Sequence, residues 1–142
     1  MQRIFFYGLF MDRAHLEANG LNPTVLGVAE LPKYRIHIGD RATLVPSESG
    51  RAYGIVMELS SVEAKALYAE PSVQAYQPEA VSVVMLDGGD RLEVLCYNLP
   101  PAEGLVGANP AYAEALAGLS ASLGLDAGYV REISAFADED SS

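Results

Sequence analysis

Tyr7-Gly8-Leu9-Phe10 is the segment of this chain best equipped for chemistry. The aromatic run Ile4-Phe5-Phe6-Tyr7 reads as a short buried strand, and Gly8 halts it before the helix-compatible stretch Leu9-Phe10-Met11-Asp12. A strand that ends this way leaves backbone N–H groups unpaired at a helix start, where partial positive charge favours an anion. An ordinary β-turn produces the same pattern. Further along, Glu70 stands beside Pro71 at a predicted helix end, where a carboxylate serves either as a general base or as a solvated surface group. Glu79 opens a strand and reads as surface. Tyr76 precedes the Val81 strand, so its hydroxyl either reaches a ligand or bridges core and surface. Tyr112 belongs to the apolar face of a late helix and reads as packing, and Phe10 and Met11 line a cavity or fill the core.

Other reactive side chains point away from chemistry. Cys96 is the sole cysteine, which excludes an internal disulfide, and its apolar surroundings predict a buried, inert thiol. His15 and His37 are isolated in sequence, so no metal site is predicted. No Gly-rich phosphate motif is present, so no nucleotide site is expected. The net charge of −10 argues against a nucleic-acid partner, which needs clustered Lys and Arg. No apolar run approaches the roughly 18 residues of a membrane span, and no signal-peptide pattern opens the chain. These features predict a soluble, cytoplasmic protein without a membrane partner. The sequence leaves the oligomeric state open.

The elements that must position these residues are short. Strands are predicted at Arg3–Tyr7, Tyr34–Gly39, Ala42–Val45, Ala52–Leu59, Val81–Leu86 and Leu92–Asn98. The cluster Pro46-Ser47-Glu48-Ser49-Gly50 predicts a hairpin turn between the third and fourth of them, and Asp87-Gly88-Gly89-Asp90 another between the last two. Ser60 with Glu63 forms a capping box ahead of a helix that Pro71 ends. Asn109-Pro110 starts a second helix, apolar at Tyr112, Ala115, Leu116, Leu119 and Leu123, with Gly124 as its stop. Asp126 caps a last short helix, and Pro100–Gly107 reads as a loop. Leu116, Leu119, Leu123, Val81, Val83, Leu92 and Val94 are the expected core. The fold class is α+β: a small, mixed, curled sheet or barrel, one short mid-chain helix and C-terminal helices. One domain over 1–137 is expected, followed by a flexible acidic tail at 138–142.

In order, these landmarks resemble the γ-glutamylcyclotransferase-like family over nearly the whole chain. The resemblance rests on Tyr7-Gly8-Leu9-Phe10 for the family's Tyr-Gly-x-Leu loop, Gly27, Ala29–Tyr34, Ala42–Pro46, Gly54–Leu59, the Ser60–Ala69 helix, Tyr76 with Val81-Ser82-Val83, and Tyr112. It implies that backbone N–H groups of the loop, over Tyr7, Gly8, Leu9, Phe10 and Met11, hold a substrate α-carboxylate. It implies a glutamate base after the mid-chain helix, with Tyr76 and Tyr112 beside the ligand. That base takes a proton from the α-ammonium of a γ-glutamyl group, whose amine attacks the γ-carbonyl and releases 5-oxoproline, and the resemblance implies that no metal or organic cofactor is required. The chain departs from the family's Leu-Asp-x-x-Glu-Gly pattern. Counted from Leu67, Tyr68 falls at the aspartate, Pro71 at the glutamate and Ser72 at the glycine, while Glu70 lies one residue early. Three functions follow: a cyclotransferase using Glu70, a non-catalytic protein binding a small γ-glutamyl or carboxylate ligand, and a ligand-free interaction protein.

Overall fold

The computed structural model describes residues 2–71 and 73–137; the acidic tail and Ser72 lie outside them. Five strands, β1 (Gln2–Phe6), β2 (Thr24–Ile38), β3 (Ala42–Leu59), β4 (Gln77–Met85) and β5 (Arg91–Asn98), close a barrel in the order β1-β3-β2-β4-β5. The α+β barrel expected from the sequence is the fold observed. Around it lie a 3-10 turn (Leu9–Met11) and five helices: α1 (Arg13–Ala18), α2 (Ser61–Leu67), α3 (Pro101–Gly104), α4 (Pro110–Ser122) and α5 (Ala127–Ala137). Among the described residues no helix is long and apolar enough to cross a membrane.

β1 shows no polar alternation because it is covered on both faces: Ile4, Phe5 and Phe6 are all buried. It runs antiparallel to β3, from Gln2↔Leu59 to Phe6↔Ile55, and parallel to β5 at Ile4↔Leu95. That parallel junction brings the C-terminal ends of β1 and β5 to one end of the barrel. The start of β4, antiparallel to β5, and the β2–β3 turn reach the same end.

One expectation is corrected. Pro46–Gly50 is not a hairpin turn, since β3 is continuous and both of its halves pair with β2. Tyr34 pairs with Pro46 and Pro32 with Arg51, so residues 47–50 bulge opposite Lys33, whose φ of +69° departs from the strand. The chain reverses at residues 39–41 instead. β2 is long enough to hold both halves, which no turn signal in β3 could reveal. Pro100–Gly107 likewise contains one helical turn, α3.

The helix signals are realised as side-chain caps. Ser60 and Glu63 make the reciprocal capping box of α2. Asn109 accepts from the Tyr112 amide to start α4, and Asp126 accepts from the Tyr129 amide before α5. α4 ends with Gly124 at φ +78°, its N–H donating to Ala121 O and that of Leu125 to Ser120 O. Of the expected core, Leu116, Val81, Val83 and Val94 are buried, while Leu119, Leu123 and Leu92 pack half-buried against them. Each buried aliphatic side chain of this kind contributes roughly 1.5–3 kcal/mol.

Gly54 of β3 sits where the barrel wall is tightest. A Cβ there would overlap the Phe6 carbonyl oxygen and lie 3.0 Å from the Phe5 ring. Gly54→Ala should therefore cost about 1–3 kcal/mol, because backbone rather than a mobile side chain must yield. Urea unfolding checks this, with a lower midpoint at unchanged slope as the expected result.

Candidate active site

β1 delivers Tyr7 to the barrel end, where its hydroxyl lies 2.8 Å from both the Tyr97 carbonyl oxygen and Asn98 Oδ1. Its single proton is shared between these acceptors. Asn98 Oδ1 also accepts from the Leu44 amide at 3.2 Å, and Asn98 Nδ2 donates to Glu79 Oε1 at 2.9 Å. Burial pushes the Tyr7 hydroxyl well above the ordinary tyrosine range, so it stays neutral as a fixed part of the wall.

Beyond Tyr7 the chain turns at Gly8 into the 3-10 turn. The Met11 N–H donates to Gly8 O and the Asp12 N–H to Leu9 O, so both amides are taken up within the loop. Tyr112, on the first turn of α4, places its hydroxyl 2.8 Å from where a Gly8 Cβ would stand. Burial raises the Tyr112 hydroxyl to about 12, while the Leu9 amide, bonded to it, pulls the other way. Gly8 thus permits a close passage under Tyr112 that a side chain would obstruct.

These groups enclose a cavity of about 350 Å³. One wall is a run of aromatic rings. Phe6 meets Phe10 edge-on at 6.2 Å, and Phe10 meets Tyr68 edge-on at 6.3 Å. Tyr68, at the C-terminus of α2, stacks on Tyr97 of β5 with centroids 3.7 Å apart and planes within 6°. Tyr76 lies on the cavity too; its hydroxyl donates to the Ala42 carbonyl oxygen and burial raises its pKa. Charge is confined to the mouth. The Arg41 guanidinium sits 5.9 Å over the Tyr76 ring and 3.7 Å from Glu103, and Asp40, His15 and Asn109 complete the lining.

Tyr7, Gly8, Leu9, Phe10, Tyr76 and Tyr112, singled out from sequence, thus line one cavity. Met11 does not: its side chain is buried in the core and its amide closes the 3-10 turn, because that turn points residue three inward. Glu70 is exposed and lies in an adjoining cleft of about 280 Å³, which shares Phe10 and His15 with the main cavity. The reason is local. α2 ends at Leu67, Tyr68 faces the cavity, and Glu70 two residues later starts a turn closed by the Val73 N–H to its carbonyl oxygen. Glu79 is exposed as expected, yet it anchors Asn98. Cys96 is buried and its thiol pushed up by desolvation. Among the described residues no acidic, His or Cys cluster could hold a metal. Sequence reasoning missed Tyr68, Tyr97, Arg41 and Asn109. Asn109 carried a signal as a helix cap; the other three meet only through the closure of the barrel.

A closed five-stranded barrel with a small aromatic cavity at the strand ends defines the architecture, and comparison with known proteins gives it a family. The model of the family "Gamma-glutamyl cyclotransferase, AIG2-like" matches residues 4–114, and the chain belongs to that family. A solved γ-glutamyl cyclotransferase superposes with a TM-score of 0.75 at 18% identity, over 94% of this chain and 86% of that one. YkqA from Bacillus subtilis gives 0.78 at 18% identity over 97% of this chain, which spans 54% of YkqA. An AIG2-like protein from Mus musculus gives 0.60 at 17%, over 79% and 82% of the two chains. At these identities the likeness carries the fold. No match was found among curated proteins.

Proposed function

We propose that this protein is a γ-glutamyl cyclotransferase that releases 5-oxoproline from a γ-glutamyl amine or peptide, with Glu70 as the general base. The observation that carries the reading is the shared boundary of the two hollows. Glu70 lines the cleft, the Tyr7–Phe10 loop lines the cavity, and Phe10 and His15 belong to both. A γ-glutamyl group lying across Phe10 would present its α-ammonium to Glu70 while the rest of the molecule enters the cavity. Family membership supports the loop as the carboxylate-binding element, and Arg41 adds positive charge at the mouth of an otherwise acidic protein. In the reaction Glu70 takes a proton from the α-ammonium, and the freed amine attacks the γ-carbonyl. The attacking nitrogen gives up its second proton to solvent, the tetrahedral intermediate collapses, the C–N bond to the leaving amine breaks, and that amine takes up the proton held by Glu70. Bringing amine and carbonyl together within one bound molecule supplies much of the rate through proximity.

A second reading, a non-catalytic protein that binds a small carboxylate, is favoured by one observation: Glu70 is exposed and outside the main cavity. One experiment separates the two. Release of 5-oxoproline from a panel of γ-glutamyl amines is measured for wild type and Glu70→Gln, with melting temperature followed in parallel. The cyclotransferase reading expects wild-type turnover and a loss on the order of a hundred- to ten-thousand-fold in the variant, with ligand-induced stabilisation retained. Turnover equal in both proteins removes Glu70 from the chemistry. Stabilisation by ligand without turnover in either protein establishes the second reading.

A further inference from the structure

We propose that the leaving portion of the ligand is apolar, an aryl or comparably hydrophobic amine seated against the stacked Tyr68–Tyr97 pair; this rests on the γ-glutamyl reading above. The cavity divides by chemistry. Its ionisable lining, Asp40, Arg41 and His15, stands at the mouth, with Asp40 and His15 exposed. Much of the remaining lining is half-buried rings packed on one another: Phe10 edge-on to Tyr68, and Tyr68 stacked on Tyr97.

Three of the tyrosine hydroxyls on the cavity are already engaged. The Tyr7 proton is shared by Tyr97 O and Asn98 Oδ1, the Tyr76 proton goes to Ala42 O, and the Tyr112 oxygen already accepts from the Leu9 amide. A leaving group carrying its own charge, such as a glycine carboxylate or a lysine ammonium, would lose part of its water against these rings and gain no countercharge from them. A ring loses little water there and gains a π face or edge at each contact. The γ-glutamyl α-carboxylate and α-ammonium belong at the mouth for the same reason. The volume of about 350 Å³ suits a ligand of this small size, near the lower end of ordinary small-molecule sites. Tyr68 and Tyr97 are thus specificity-determining residues.

The test compares three ligands, γ-glutamylanilide, γ-glutamylglycine and benzoate, with dissociation constants taken from ligand-dependent melting of wild type, Tyr68→Ala and Tyr68→Phe. The anilide should bind wild type about tenfold more tightly than the glycine conjugate, the scale of one good aromatic contact. Tyr68→Ala should erase that advantage by weakening the anilide more than the glycine conjugate, and Tyr68→Phe, which keeps the ring, should preserve it. Tyr97→Ala, which removes the other half of the stack, replaces Tyr68→Ala should that variant fail to fold. Equal or tighter binding of the glycine conjugate to wild type overturns the proposal and leaves the γ-glutamyl reading standing. So does equal weakening of both conjugates by the ring deletion. Benzoate binding that depends on Tyr68, with neither conjugate bound, sinks the γ-glutamyl reading and keeps the apolar subsite. Binding of none of the three overturns both.

Discussion

Raising the pH from about 9 to about 11 is expected to unfold the protein cooperatively, through ionisation of its enclosed tyrosines. Burial raises the hydroxyls of Tyr7, Tyr68, Tyr112 and Tyr129 above the ordinary value of 10.0, Tyr112 to about 12. The sign follows from proton counts. Below pH 10 both folded and unfolded chains hold these protons, and the full stability is present. Above it the unfolded chain releases them while the folded chain keeps them, so stability falls as pH rises toward the folded values. Each tyrosine takes away about 1.4 kcal/mol per pH unit in that window, so four remove roughly 5 kcal/mol by pH 11. That is comparable with the whole stability of an ordinary domain. Tyrosinate absorbance and far-ultraviolet circular dichroism, followed together, check it. The slowly titrating absorbance should appear in step with the loss of dichroism. Full ionisation of all eight tyrosines in a protein that keeps its dichroism would show that these hydroxyls are not enclosed.

Asn98→Leu is expected to lower stability by roughly 2–4 kcal/mol, although the volumes are similar. The cost comes from the groups left behind. The Leu44 amide, 3.2 Å from Asn98 Oδ1, is buried and loses its acceptor, and Glu79 loses the donor that holds it. Tyr7 keeps the Tyr97 carbonyl, so it does not add a full unpaired hydroxyl. Asn98→Asp separates these effects, since it retains an acceptor for Leu44 but sets a second carboxylate against Glu79. It should be less damaging when the solution is acidic enough to protonate one of the pair than at neutrality. Urea titrations of both variants at the two pH values supply the measurement. A Leu variant as stable as wild type would show that this network carries no stability.

What could be read from the sequence depended on how far apart the deciding residues lie. Ser60 with Glu63, Asn109 with Pro110, and Gly124 act on neighbours within one turn, and each cap is found where its residues stand. The strands expected at Arg3–Tyr7, Val81–Leu86 and Leu92–Asn98 announce themselves by apolar runs or alternation, and β1, β4 and β5 overlap them. Pro46–Gly50 misled because local turn chemistry competes with pairing, and here a long β2 holds both flanks and absorbs the cluster as a bulge. The site divides in the same way. Tyr7–Phe10 is a local signal, and so is its glycine. The stack of Tyr68 on Tyr97 joins residues from a helix end and a distant strand, and no spacing rule brings such residues together. Glu70 shows the limit from the other side: a residue type suited to the chemistry was legible, but its direction was set by where α2 stopped.

The parallel seam between β1 and β5 has a consequence for the order of assembly. β1 is the first of the five described strands and β5 the last, so the Ile4↔Leu95 contact closes a loop that includes the other three strands. Such a closure forfeits chain entropy before it returns contact energy, and it belongs late on the folding route. Hairpins such as β4–β5 can form early and locally. Tyr7 reaches the Tyr97 carbonyl and Asn98 only when the seam is shut. A half-assembled chain can therefore hold most of its secondary structure and still have no ligand cavity. A compound added to fill that cavity would stabilise the finished barrel alone, because the cavity is completed only at the last step.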